Sequence, residues 1–128
     1  MITLATLKEE NRISAFFEKA KLQRNEHSFC LTAENRGEVL GFCLFDLDDK
    51  KIVIRAIEPT YDTSLADGIL RSTLHVATER SIMDSFYAQT APEELFKKLC
   101  FIKDEAERRL DTDKLFQSCH SCADKPKN

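Results

Sequence analysis

No run of apolar residues in this 128-residue chain approaches the ~20 needed to cross a bilayer, so a membrane-spanning helix is excluded and no membrane partner is expected. A basic stripe is missing as well. Lys and Arg are interspersed with acids and the net charge is −3, so nucleic acid is not expected as the main partner. The N-terminal stretch carries Lys8, Glu9 and Glu10 where a secretory signal would need an apolar core, and the expected location is the cytoplasm. Internal repeats are absent, and no linker is long enough to divide the chain. The five cysteines (Cys30, Cys43, Cys100, Cys119 and Cys122) are an odd number. Three of them lie inside apolar segments, so buried thiols are expected rather than a disulfide framework.

Hydrophobic residues make up 42% of the chain and charged residues 32%, the balance of a globular domain with a real core. The most informative stretch begins with a run rich in β-branched and apolar residues, Lys51 to Ile57, after the polar turn Asp48-Asp49-Lys50. Beyond the loop Glu58-Pro-Thr-Tyr61, Ala66, Ile69, Leu70, Thr73, Leu74 and Ala77 recur at the spacing of an amphipathic helix reaching about Arg80. Ser64 with Asp67 three residues on reads as a capping box. Ile82 to Gln89 then reads as a second strand. Strand, loop, helix and strand make a parallel crossover unit. The loop entering its helix offers free backbone N–H groups and the positive end of the dipole, a seat for phosphate.

Elsewhere, Met1 to Leu4 reads as an edge strand and Leu7 to about Lys21 as a helix with Leu7, Ile13, Phe16, Phe17 and Ala20 on its apolar stripe. Ser28 to Ala33 and Glu38 to Asp46 form a hairpin across the turn Glu34–Gly37, with Gly37 suited to a positive φ. The second of these strands is almost continuously apolar and should be covered on both faces. Gly41 within it marks a bulge or a close backbone approach. Thr90-Ala-Pro-Glu93 reads as a second capping box for a helix to Leu99, Glu107 to Asp111 as a last strand, and Asp113 to Cys119 as a short helix before a polar tail.

This order, with Gly37-Glu-Val-Leu-Gly-Phe42, Pro59-x-Tyr61 and Leu95-Phe-Lys-Lys-Leu-Cys-Phe101, resembles the GNAT-type N-acetyltransferases over roughly residues 1–110. The resemblance implies an α/β domain at 1–112, followed by a short helix and cysteine-containing tail at 113–128. Its sheet is expected to be mixed and mostly antiparallel, with one parallel β-α-β crossover and helices on both faces. In that family a loop Gln/Arg-x-x-Gly-x-Gly/Ala binds the coenzyme A pyrophosphate, and the matching residues here are Tyr61-Asp-Thr-Ser64-Leu-Ala66. The resemblance therefore assigns acetyl-CoA binding to Ile57, Tyr61, Ser64, Leu65, Ala66, Asp67, Gly68 and Arg71. Ser64 replaces a glycine, Tyr61 stands where Arg or Gln is usual, and Asp62 and Asp67 place two carboxylates beside the phosphate seat. In the closing pattern, Phe96 takes the place of the tyrosine that protonates the departing thiolate, and Cys100 that of a glycine.

Amide formation from a thioester needs a base for the incoming ammonium and an acid for the thiolate. Glu58, at the strand end, is the candidate base; the other reading is a solvated glutamate. Tyr87 is the candidate replacement acid, or else a packing tyrosine with its hydroxyl at the surface. Cys119-His-Ser-Cys122 has the spacing of a zinc or redox pair, though a mobile tail with free thiols is the plainer reading and no metal is assigned. The expected function is transfer of an acyl group from acyl-CoA to a small-molecule or protein amine of unknown identity, by a monomer or homodimer. The alternative is a catalytically degenerate member of the same fold kept as a binding or regulatory module.

Overall fold

The computed structural model describes residues 1–116; the Cys119–Cys122 pair and the polar tail lie outside the described residues. Strand β1 (Ile2–Thr6) is followed by helix α1 (Glu10–Lys19), strands β2 (Ser28–Asn35), β3 (Glu38–Leu47) and β4 (Lys51–Glu58), then helix α2 (Thr63–Thr78). Strand β5 (Asp84–Tyr87), helix α3 (Glu93–Lys98), strands β6 (Ile102–Asp104) and β7 (Arg109–Leu110) and a 3-10 turn (Thr112–Phe116) complete it. The seven strands form one sheet in the order β1-β2-β3-β4-β5-β7-β6. Only β4 and β5 run parallel, which is the expected crossover. Strand β6 was not foreseen, because three residues of mostly exposed side chain leave no periodic signal.

Both faces of the sheet are covered. Ile52, Ile54 and Ile57 of β4 and Cys43, Phe45 and Leu47 of β3 pack with Ala66, Ile69, Leu70 and Leu74 of α2 and with Leu95 and Phe96 of α3. On the other face Cys30 and Leu44 meet Ile13 and Phe17 of α1. That double burial is why β3 reads as an apolar run rather than an alternation. Cys30 and Cys43 are free and fully buried, as expected, and burial pushes both thiols up to about 12. Cys100 departs from the expectation: it is half-buried and disulfide-bonded.

Both expected capping boxes are corrected. Helix α2 is capped by Asp62, whose Oδ1 accepts the Leu65 N–H at 3.1 Å, two residues before Ser64. Asp67 lies a turn into the helix and pairs instead with Arg71 Nε at 2.9 Å, the i,i+4 geometry of a helix surface. At α3 no side chain caps the first turn, and the Thr90 hydroxyl is drawn away to the Arg55 carbonyl at 2.8 Å.

The chain has three glycines, and only Gly37 has a positive φ, beside Arg36 in the β2–β3 turn where both central residues are left-handed. All three helices therefore close without glycine. Lys21, Ser81 and Cys100 take φ of 59°, 63° and 58°. In each case the next N–H reaches back to a carbonyl five residues earlier: Leu22 to Phe17, Ile82 to Ala77, and Phe101 to Phe96. This is the Schellman closure, in which glycine is favoured because a Cβ crowds the left-handed region. The last of these turns is held from outside by the buried Lys114, whose ammonium donates to the Leu99 and Cys100 carbonyls at 2.5 and 2.9 Å. Replacing the exposed Ser81 with glycine relieves the strain at the cost of a looser unfolded chain. The expected outcome is a gain of about 0.5–1 kcal/mol in urea unfolding with an unchanged m-value.

Candidate active site

The site begins with a parity break in β4. Ile52 and Ile54 face α2, and a regular strand would turn Ala56 to the same side. Instead Leu44 pairs with Ala56 while Phe45 pairs with Ile54, so Arg55 is an extra residue, a bulge. After it Ile57 faces the α2 core and Ala56 packs on the α1 side. Arg55 is braced on three sides: its guanidinium donates to both Asp46 carboxylate oxygens at 3.1 and 3.3 Å and to the Gln23 carbonyl at 3.0 Å, and it stands over the Phe17 ring at 5.7 Å. Its own carbonyl accepts the Thr90 hydroxyl.

The bulge also parts the two parallel strands. Their pairing ends at Ile54 and Tyr87, with a final hydrogen bond from the Ala88 N–H to the Ile54 carbonyl at 2.8 Å. From Ala56 to Glu58, β4 pairs with β3 alone, and among the described residues no strand pairs with its other edge. A cleft of about 810 Å³ opens there. Ala56, Ile57 and Glu58 contribute from β4, Pro59 and Tyr61 from the following loop, and Thr90 and Pro92 from beyond β5. Its remaining wall is the end of α1, Lys19 to Leu22. The peptide bond between Glu58 and Pro59 is cis. Gly41 is where this corner meets β3: a Cβ there would come within 2.5 Å of the Glu58 carbonyl and 2.8 Å of Pro59 Cδ. Both readings of Gly41 hold, since the β2–β3 register also slips beside it, between Ala33 and Glu34.

Glu58 is exposed at the end of β4, and among the described residues no donor lies within hydrogen-bond distance of its carboxylate. Tyr61 is 90% exposed at the cleft rim. The first turn of α2 is less open to an anion than its position implies. Asp62 takes the Leu65 N–H with its side chain and the Ala66 N–H with its carbonyl, leaving Thr63 and Ser64 with outward amides. Arg71 does not reach toward that end. It is held by Asp67, donates to the Lys114 carbonyl at 3.3 Å and lies over the Phe101 ring at 5.2 Å. Among the expected binding residues, Ile57 and Tyr61 line the cleft. Ala66 is fully buried, while Ser64, Leu65, Asp67 and Gly68 lie on the first turns of α2 outside its lining.

Neither a family model nor a curated protein matches the sequence. Solved structures do match. A ribosomal-protein-alanine N-acetyltransferase from Brucella melitensis biovar Abortus is similar with a TM-score of 0.56 at 16% identity, over 76% of this chain and 89% of that one. A ribosomal-protein-S18-alanine N-acetyltransferase from Escherichia coli gives 0.57 at 14% identity, over 85% of this chain and 88% of that one. A GNAT-family acetyltransferase of Streptococcus pneumoniae gives 0.51 at 17%, over 73% and 80%. The fold is that of the GNAT-type N-acyltransferases.

Cys100, which stands where the closing pattern has a glycine, occupies a left-handed helix end, a conformation glycine adopts without strain. Phe96 is fully buried against Tyr87, with ring centroids 5.1 Å apart. Tyr87 does not carry its hydroxyl to the surface. It is 2% exposed and donates to Glu93 Oε2 at 2.6 Å. Burial first, and then Glu93, push it up to about 12, and it is not among the residues lining the cleft. Sequence reasoning missed Arg55, Thr90, Glu93 and the α1 end. The first had a signal, since isoleucines at 52, 54 and 57 cannot share one face of an unbroken strand.

A raised tyrosine pKa favours the folded state fully below the unfolded value near 10, and that stability is lost as pH rises through about 12. Tyr87→Phe keeps the ring and strands Glu93. Urea unfolding is expected to show a loss of about 1–2 kcal/mol at pH 7. The alkaline decline should be shallower in the variant, with the share due to Cys30 and Cys43 remaining. An identical alkaline limb in parent and variant would refute the coupling.

Proposed function

We propose that the protein transfers an acyl group from acyl-CoA to an amine, with the parted edge of β4 beside Glu58 as the observation that carries the reading. An unpaired strand edge is a template for main-chain hydrogen bonds to an extended amide-bearing ligand, and the pantetheine arm is one. The acyl-CoA supplies an activated thioester. Residues 56–58 of β4 hold its arm, the outward amides of Thr63 and Ser64 face its pyrophosphate, and Tyr61 and Pro59 bound its path. The amine nitrogen attacks the thioester carbonyl, and the ammonium proton passes to the Glu58 carboxylate, which the open cleft leaves accessible to amine or relaying water. The carbon–sulfur bond breaks with its electron pair on sulfur. Phe96 has no proton to give, and Tyr87 is occupied by Glu93, so the thiolate takes its proton from water. Tyr87 serves to fix α3 against β5.

The neighbours named for ribosomal-protein alanine act on a protein amine, and this supports an α-amine as acceptor here. Asp62 and Phe96 favour a second reading, a binding module that kept the fold and lost the chemistry. A carboxylate already satisfies the first-turn amide of α2, so a pyrophosphate would meet both an occupied donor and a like charge. The carboxylate weighing on affinity is thus that of Asp62, since Asp67 is neutralised by Arg71.

Titration calorimetry with acetyl-CoA separates the two readings. The parent is expected to bind with a dissociation constant in the high-micromolar range or above, and Asp62→Asn, which keeps a cap, to bind about tenfold tighter. Glu58→Gln should leave binding unchanged and lower transfer to an amine by roughly 10²-fold. Sub-micromolar binding by the parent would overturn the account of the α2 turn. Silence from both proteins at millimolar ligand would leave the binding module in place of the enzyme.

A further inference from the structure

The cleft beside Glu58 has two walls of opposite character. The strand side carries one acidic residue, Glu58, while the α1 side carries two basic ones, Lys19 and Lys21. Among the described residues neither lysine is engaged in an ion pair, so both charges are available to a ligand. Their backbone is held in place. Ala20 and Leu22, on either side of Lys21, pack against the α1-side core, and the Schellman turn fixes Lys21 in the left-handed region between them. A fixed backbone at that turn limits where the ammonium groups can go, and both residues line the cleft that Glu58 also lines.

Resting on the N-acyltransferase reading of this cleft, we propose that the acceptor is a primary amine carrying a nearby carboxylate, as in an amino acid or the acidic N-terminal end of a peptide. Its amine lies toward Glu58 and its carboxylate toward Lys19 and Lys21. The charge pattern selects by sign. A polyamine would gain Glu58 and be repelled by two lysines, and a neutral amine would leave both lysines without a partner. Alanine, leucine and proline side chains along the floor and walls (Ala20, Leu22, Ala56 and Pro59) leave room for an aliphatic spacer between the two charged ends.

The test is an NMR titration of the isotope-labelled full chain, without acetyl-CoA, at low and at physiological ionic strength. The probes are free glutamate, the peptide Ala-Glu-Glu and its basic counterpart Ala-Lys-Lys. The acidic peptide is expected to bind at least about tenfold tighter than the basic one, about threefold for each of two screened charge contacts, with the advantage shrinking as salt is added. In the double variant Lys19→Gln, Lys21→Gln the two peptides should bind alike. In the transfer assay the same variant should raise KM for the acidic peptide with kcat kept. Saturable binding of glutamate alone would identify a free amino acid as the acceptor; binding of the peptide without glutamate would identify a chain end. Equal or inverted affinities in the parent, or no binding of any probe at millimolar concentration, would overturn the inference. So would a double variant that loses affinity for acetyl-CoA while keeping the peptide, since the lysines would then serve the cofactor's phosphates. Acidic selectivity in a protein that neither binds acetyl-CoA nor transfers would sustain the inference about the cleft and sink the enzyme reading.

Discussion

The bulge at Arg55 is the constraint on which the rest of the site depends. One extra residue in β4 reverses the facing of everything after it: Ile57 enters the core under α2, and Ala56 turns to the α1 face. The same residue ends the partnership with β5, because a bulged strand twists away from its neighbour. A bulge left to itself exposes backbone polar groups and tends to regularise. Here Asp46, the Gln23 carbonyl and the Phe17 ring hold the guanidinium, and Thr90 takes the carbonyl. These contacts come from four separate parts of the chain, so the opening between the strands is built into the packing of the whole domain.

A second theme is how a glycine-poor chain closes its helices. Left-handed residues are needed at three helix ends, and the sequence supplies Lys21, Ser81 and Cys100. Each keeps the two backward hydrogen bonds of the closure, and those bonds offset the crowding of Cβ. At the third end, Lys114 adds two charge-assisted bonds to carbonyls the helix leaves unsatisfied. Phe101, just beyond, has Arg71 and Lys114 over its ring at 5.2 and 5.1 Å. The departure from a glycine in the closing pattern is thus absorbed locally and leaves the architecture untouched.

The first turn of α2 shows two uses of one set of groups in competition. Free amides at a helix start can hold an anion or can be capped from within. Asp62 commits one of them to stability, and Arg71 is committed to Asp67 and to the 3-10 turn at Thr112–Phe116. The GNAT fold is kept while these charges are paired inside the protein. The strand edge and the cleft, which depend on backbone shape instead of charge, are unaffected by that commitment.

The element order was legible in the residues because it rests on short-range periodicity. The apolar stripe of α2, the turn ending in Gly37 and the continuous apolar run of β3 each carry their signal within a dozen positions. Glu58 could be placed at a strand end, and Gly41 at a close approach, for the same reason. Caps were less legible: Asp62, Ser64 and Asp67 are all competent, and the choice among them turns on where the strand ahead releases the chain. Cys100 could not be told from a third buried thiol, and Tyr87 could not be told from a surface tyrosine, because their partners are fixed by the fold. The sequence by itself determined a sheet with one parallel crossover and a capped helix leading from it. Only the tertiary structure decided which side Glu58 faces, which carboxylate Arg71 neutralises and which lysines stand across the cleft, because each of these joins residues that meet only after the sheet and its two covering layers have formed.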